Sequence, residues 1–266
     1  MTLFRDDIKG DILNTYFSVG FELRKHLRRR RLFIVAALAV LVPLIFYVNP
    51  ADSADEFAFA SLRFLSFLII ISGAMFAGDA ISGEFEKKTG LLLFPTPQRR
   101  ISIVAGKYVA ALIAVWVAVS LYYLITMLQM AHLHGVGEIP TEFAKSYLTA
   151  LIYAASVVSV IYFFSSILKR TITSTLLGFF FLLMILPIIA GVVISLDAEP
   201  WFIVTYSADL ISNVLGEASS GGFGPGRHFG SLVFEPDFGV GIGVMMAYAV
   251  GFFSISAVIA NRKSMD

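Results

Sequence analysis

Apolar residues in this chain are gathered into six long runs separated by short polar segments. The runs are Leu32–Val48, about Ser61–Ala80, about Ile101–Met130, about Tyr147–Leu168, Ile172–Leu196 and Phe238–Ala260. Each is long enough to cross about 30 Å of hydrocarbon as a helix. None shows the strict alternation of a membrane barrel strand, and in lipid only helices or closed barrels satisfy their own backbones. The pattern therefore predicts an all-α membrane protein of six transmembrane helices. Pro43 interrupts the first run and Asn49-Pro50 closes it; Pro187, with Gly191 one turn later, is expected to kink the fifth.

Two further segments have helical periodicity without being spans. In residues 3–27, Ile8, Ile12, Tyr16, Val19, Leu23 and Leu27 recur every three or four positions, with Arg5, Lys9, Asp11, Glu22, Arg24 and Lys25 mostly off that stripe. This reads as an amphipathic helix on the lipid surface, residues 1–31 forming an interfacial segment ahead of a membrane domain at 32–266. In the loop 196–238, Trp201 to Leu215 is apolar but too short to cross. A re-entrant or interfacial pair of short helices is expected there, begun by Asp197, Glu199 and Pro200 and ended by Gly216.

Composition agrees with this class: 58% of 266 residues are hydrophobic and 15% charged, and the mean hydropathy is +0.82. Charge adds the orientation. Arg5, Lys9, Arg24, Lys25 and Arg28–Arg31 precede the first span, and Lys87, Lys88, Arg99 and Arg100 lie between the second and third. Lys169-Arg170 separate the fourth from the fifth, and Arg262-Lys263 follow the sixth. The other loops are acidic, with Asp52, Asp55, Glu56, Glu138, Glu142, Asp197, Glu199, Asp209, Glu217, Glu235 and Asp237. The expected orientation puts both termini in the cytoplasm, with the protein in the plasma membrane and the first span a retained anchor rather than a signal peptide. The net charge of +1 gives no sign of nucleic-acid binding. The absence of cysteine excludes disulfides and thiol chemistry.

The most informative loop is 82–100. A mixed-charge stretch, Ser82-Gly83-Glu84-Phe85-Glu86-Lys87-Lys88-Thr89, runs into Gly90, then Leu91, Leu92, Leu93 and Phe94, then Pro95-Thr96-Pro97-Gln98-Arg99-Arg100. Four apolar residues cannot span. A short amphipathic helix stopped by proline, built to lie at the interface or in a groove on another protein, is the physical reading. With Gly106-Lys107 at the head of the next span, this pattern resembles the signature of type-2 ABC exporter permeases. Thr89-Gly90 here stands in the reverse of the family's Gly-Thr order. The resemblance implies that Glu84, Phe85, Glu86, Lys87, Lys88, Thr89, Gly90, Leu91, Leu92, Pro95, Pro97, Arg99 and Arg100 form a coupling segment docking a separate ABC ATPase subunit. It also implies a dimer, with a second copy or a similar permease, surrounding the cargo path.

No phosphate loop occurs, since Gly106-Lys107 lacks the spaced glycine and is followed by Tyr108. No enzymatic activity and no cofactor are expected in this chain, with ATP and magnesium held by the partner. Pro187 and Gly191 are the gating candidates. His132 and His134 read as two solvated histidines rather than a metal pair, and Asp79 as a cap of the coupling segment rather than a proton relay. Arg63, Asp79 and Lys107 fall near span ends, where long cations can reach water, and the span centres lack ionisable groups. That disfavours an ion-coupled carrier, the least favoured reading. A non-transporting, ATPase-linked module for envelope remodelling or resistance is the stronger alternative. Ala110, Ala114 and Ala118, and Gly243, Ala247 and Gly251, are spaced for close helix packing.

Overall fold

The computed structural model describes residues 2–28, 30–48, 51–86, 100–215 and 236–262. They form helices α1 (Thr2–Arg28), α2 (Arg31–Val48), α3 (Ala54–Leu62), α4 (Leu65–Ala77), α5 (Ser82–Glu86) and α6 (Arg100–Leu133). These are followed by α7 (Phe143–Ile167), α8 (Thr171–Phe180), α9 (Leu186–Ser195), α10 (Val204–Ser207), α11 (Leu210–Asn213) and α12 (Phe238–Arg262). No strand occurs among the described residues. Six helical columns are long and apolar enough to cross a membrane: Arg31–Val48, Ala54–Glu86, Ile101–Leu133, Phe143–Ile167, Thr171–Ser195 and Phe238–Ala260. Successive columns alternate in direction, so one end of the bundle gathers α1, α5 and the starts of α2 and α6.

Two columns differ from expectation. The second starts at Ala54 rather than near Ser61 and is broken along its length, which places Arg63 at a joint within the column rather than near its end. Its start is set by Ser53, whose hydroxyl caps the Glu56 N–H at 3.3 Å, with Asp55 and Glu56 complementing the positive end of the helix. At the joint, the Tyr122 hydroxyl donates to the Ser61 carbonyl at 2.7 Å and the Ser61 hydroxyl lies 3.2 Å from that of Thr126. Side chains of α6 thus take up backbone and hydroxyl groups that a continuous helix would satisfy itself.

The fifth column changes pitch before Pro187. Residues Phe181–Ile185 form a π turn in which the Leu186 N–H donates to the Phe181 carbonyl, five residues back. Proline supplies no N–H to the preceding turn and its ring crowds that turn's carbonyl; the wider turn absorbs both. Further along, α10 and α11 are single buried turns where the short helices of 196–238 were expected, and the leading bend is made by Asp197, whose φ is 56°. Gly216 lies outside the described residues.

The core lies between α4, α6 and α7. Ala111, Ala114 and Ala118 present small faces that let α6 pack closely, and Tyr122, Tyr153 and Tyr162 are fully buried there. Gly73 fits α4 against Val157 and Ile161, where an added methyl would come within 3.0 Å. Of the two small-residue faces in the sequence, that of α6 is packed inside the chain. Gly243 and Gly251 of α12 have open space before them.

At the lower end of α4 the backbone turns away, and a side chain of α7 replaces its helical partners. The Ser165 hydroxyl accepts from the N–H groups of Ile81 (3.0 Å) and Ser82 (3.1 Å), and Ser174 donates to the Gly78 carbonyl at 2.9 Å. Replacing Ser165 with Ala strands two buried donors. The expected loss is about 1–3 kcal/mol, read as a lower midpoint of thermal unfolding in detergent, with Ser165→Thr losing less.

Candidate functional site

The expected coupling segment opens at α5, where charged groups from three separate elements come together. Lys107 stands two turns into α6 and is 4% exposed. An ammonium withdrawn from water into an apolar span needs opposite charge in contact. It has two such contacts: Glu22 of α1 at 2.6 Å and Glu84 of α5 at 2.5 Å. Lys25 completes the group, 2.7 Å from Glu22. Two cations and two carboxylates leave the cluster neutral. A second pair lies beside it, where Arg31 at the head of α2 reaches Asp79 at 2.8 Å and the Met75 carbonyl at 2.9 Å.

The approach of α1 to α6 is made possible by Gly106. A Cβ at that position would stand 2.5 Å from the Cβ of Ser18. Gly106 and Lys107 therefore act together: the glycine admits α1, and the lysine holds it through Glu22. This reverses the expectation that Lys107 reaches out to water.

Of the expected stripe on α1, Tyr16 and Leu27 are exposed and Val19 and Leu23 are half-buried. Glu22 and His26 face the protein, and Phe17 and Phe21, off that stripe, are exposed, Phe21 at 69%. Burial pushes the Glu22 carboxyl up, but attraction and hydrogen bonds from Lys107 and Lys25 outweigh it and hold the group below the ordinary carboxylate range. Burial and repulsion by Lys107 lower Lys25, with Glu22 opposing. His26 sits edge-on to Phe76 of α4, ring centroids 5.2 Å apart, and its Nδ1 finds no hydrogen-bond partner among the described residues. Burial lowers its pKa to about 4, against the opposing pull of Glu22 and Asp79.

The structure thus treats the expected coupling residues unequally. Glu84 enters the cluster, and Phe85 packs half-buried against the core. Glu86 accepts a hydrogen bond from the Thr171 N–H at 2.8 Å, at the start of α8. Lys87, Lys88, Thr89, Gly90, Leu91, Leu92, Pro95, Pro97 and Arg99 lie outside the described residues, and Arg100 opens α6. The Asp79 side chain is held by Arg31, and its carbonyl accepts from the Gly83 N–H at 3.1 Å. Pro187 and Gly191 lie on α9, away from this cluster.

At the other end of the bundle, His132 is exposed, with its Nδ1 3.1 Å from the Tyr47 hydroxyl, and His134 is half-buried against Phe57. No group of three or more potential metal ligands occurs among the described residues. Glu22, Lys25 and His26 were missed as site residues. The detectable signal was Lys107 itself: a charge two turns inside an apolar run implies a carboxylate partner, though not which one.

Replacing Lys107 with Met leaves Glu84 without its cation and Glu22 with Lys25 alone, at an expected cost of about 3–5 kcal/mol. Adding Glu22→Gln and Glu84→Gln to Lys107→Met is expected to restore most of it, as read by thermal unfolding. The histidine gives a pH signature. Above pH 6.5 His26 is neutral in both folded and unfolded chains; below it the unfolded chain binds a proton that the folded one resists, so stability falls from pH 6.5 towards 4. At pH 5 the loss is about 2 kcal/mol, with Glu22 adding its own only at lower pH, as its carboxylate is protonated. Hydrogen exchange should show α1 losing protection between pH 7 and 5, and His26→Phe should flatten that change.

A family profile described as ABC-2 family transporter protein matches residues 17–214, which hold the cluster and five of the six columns. No match was found among curated proteins.

Proposed function

The chain belongs to the ABC-2 transporter family, and from that premise we propose that it is the transmembrane permease subunit of an ATP-driven exporter. In this reading it lies in the plasma membrane with both termini cytoplasmic. It docks separate ATPase subunits, which bind ATP and magnesium, through residues 82–100, and encloses the cargo path with a second permease copy. The charge bias of the loops supports the orientation, because the α1 end of the bundle carries the basic segments.

The observation that carries the reading is how α5 is mounted. Glu84 ties it to α6 and, through Lys107, to α1; Glu86 ties it to the start of α8. A push delivered to the loop that follows α5 would reach the second, third and fifth columns and the amphipathic helix together. A connecting loop that merely returned the chain to the membrane would need none of these contacts. The outward face of α1, with Phe17 and Phe21 ahead of Arg24 and Arg28, suits an anionic membrane surface, where rings enter the interface and arginines meet phosphate. Pro187 and Gly191, beside the π turn, are the proposed flexing point of the gate.

The test is co-purification from native membranes. An ATPase subunit carrying a phosphate loop is expected to accompany the unmodified chain, and Leu91→Asp with Leu92→Asp should release it without changing the thermal midpoint of the bundle. Recovery of the chain with no ATPase under any mild detergent would end this reading. In the reconstituted complex, Pro187→Ala is expected to slow export while ATP hydrolysis continues; unchanged export would remove the gate from it.

A further inference from the structure

Away from the charged cluster, at the opposite end of the bundle, α6 and the start of α7 separate around a groove of about 430 Å³. Its walls are Leu124 and Met127 on one side and Phe143 and Ala144 on the other, and Ile139 and Pro140 close its end. The volume lies within the roughly 300–1,000 Å³ of small-molecule sites.

Three of its four polar side chains are already paired, and the fourth, Thr141, is exposed. The Ser120 hydroxyl donates to the Trp116 carbonyl at 2.8 Å and lies 2.8 Å from the Tyr147 hydroxyl. The Tyr123 hydroxyl lies 2.6 Å from that of Ser146, which donates to the Ile211 carbonyl. A trapped water needs two to four polar partners, more than the one exposed hydroxyl of Thr141 supplies. The groove is therefore built for hydrocarbon.

It is also placed where hydrocarbon is. The groove is open along the side on which α6 exposes Val117, Leu124 and Leu128 and α7 exposes Leu148, the surface that a spanning helix turns to lipid. From Ser120 to Met127 it runs about 10 Å along α6, against the roughly 15 Å of one leaflet's hydrocarbon. Apolar walls, lateral access and this length suit one flexible chain entering from the side.

We propose that this groove holds an acyl chain of a bilayer phospholipid, resident between the third and fourth columns in the leaflet opposite the Glu22–Lys107–Glu84 cluster. The chain fills a volume that would otherwise leave α6 and α7 poorly packed, while its headgroup stays at the membrane surface. The inference rests on the membrane-spanning fold alone and not on the proposed export activity.

The experiment is native mass spectrometry of the full chain, extracted in mild detergent from vesicles of phosphatidylethanolamine and phosphatidylglycerol. Ala144→Trp, at an exposed position in the groove wall, is expected to retain one phospholipid fewer per chain than the unmodified protein. Leu128→Trp, on the lipid-facing surface beside the groove, should retain the same number. Equal retention by all three overturns the proposal. So does loss of self-association by Ala144→Trp with unchanged lipid, which would make the groove a contact between copies. A second readout needs no variant: crystals grown with dibrominated phospholipid should show bromine between Leu124 and Ala144, and its absence there also overturns the proposal.

Discussion

A positive charge placed two turns inside an apolar helix has to be neutralised where it stands. Lys107 cannot reach water from a position 4% exposed, so two carboxylates must come to it. One belongs to a helix that does not cross the membrane and the other to the segment leading out of the second column. The position of α1 follows from this constraint, and Gly106 is the steric condition for meeting it. A buried ion pair adds little net stability over an apolar contact but makes any other arrangement costly. Its effect is to hold three elements in one geometry.

The breaks in the columns follow related logic. Each interruption of helical hydrogen bonding is met by a side chain from a neighbour or by a change of pitch. Tyr122 and Thr126 serve the joint near Ser61, Ser165 serves the end of α4, and the π turn at Phe181–Ile185 serves Pro187. In a membrane these substitutions are obligatory, because an unpaired backbone group has no water to turn to. The result is a second column with three semi-independent pieces, the last of which, α5, is tied to its neighbours by charge.

The two ends of the bundle differ in kind. One is cross-linked by charge. The other is held by hydroxyl pairs and aromatic packing, with the two short buried turns α10 and α11 and a lipid-sized groove beside them.

The sequence alone determined the class, the number of columns and their approximate limits, because hydrophobic length and charge are local properties that each segment carries by itself. It also marked residues 82–100 as out of place for a simple loop and Pro187 as a point of altered helix geometry. Tertiary structure decided which charges meet. Glu22 looked like one polar residue on a surface helix, and Lys107 like a cation reaching for water; only the crossing of α1 over Gly106 makes them partners. Likewise Glu84 and Glu86 read alike in the sequence, yet one enters a buried cluster and the other takes a backbone N–H on α8. Those roles depend on distances between segments far apart in the chain, and periodicity carries no information about them.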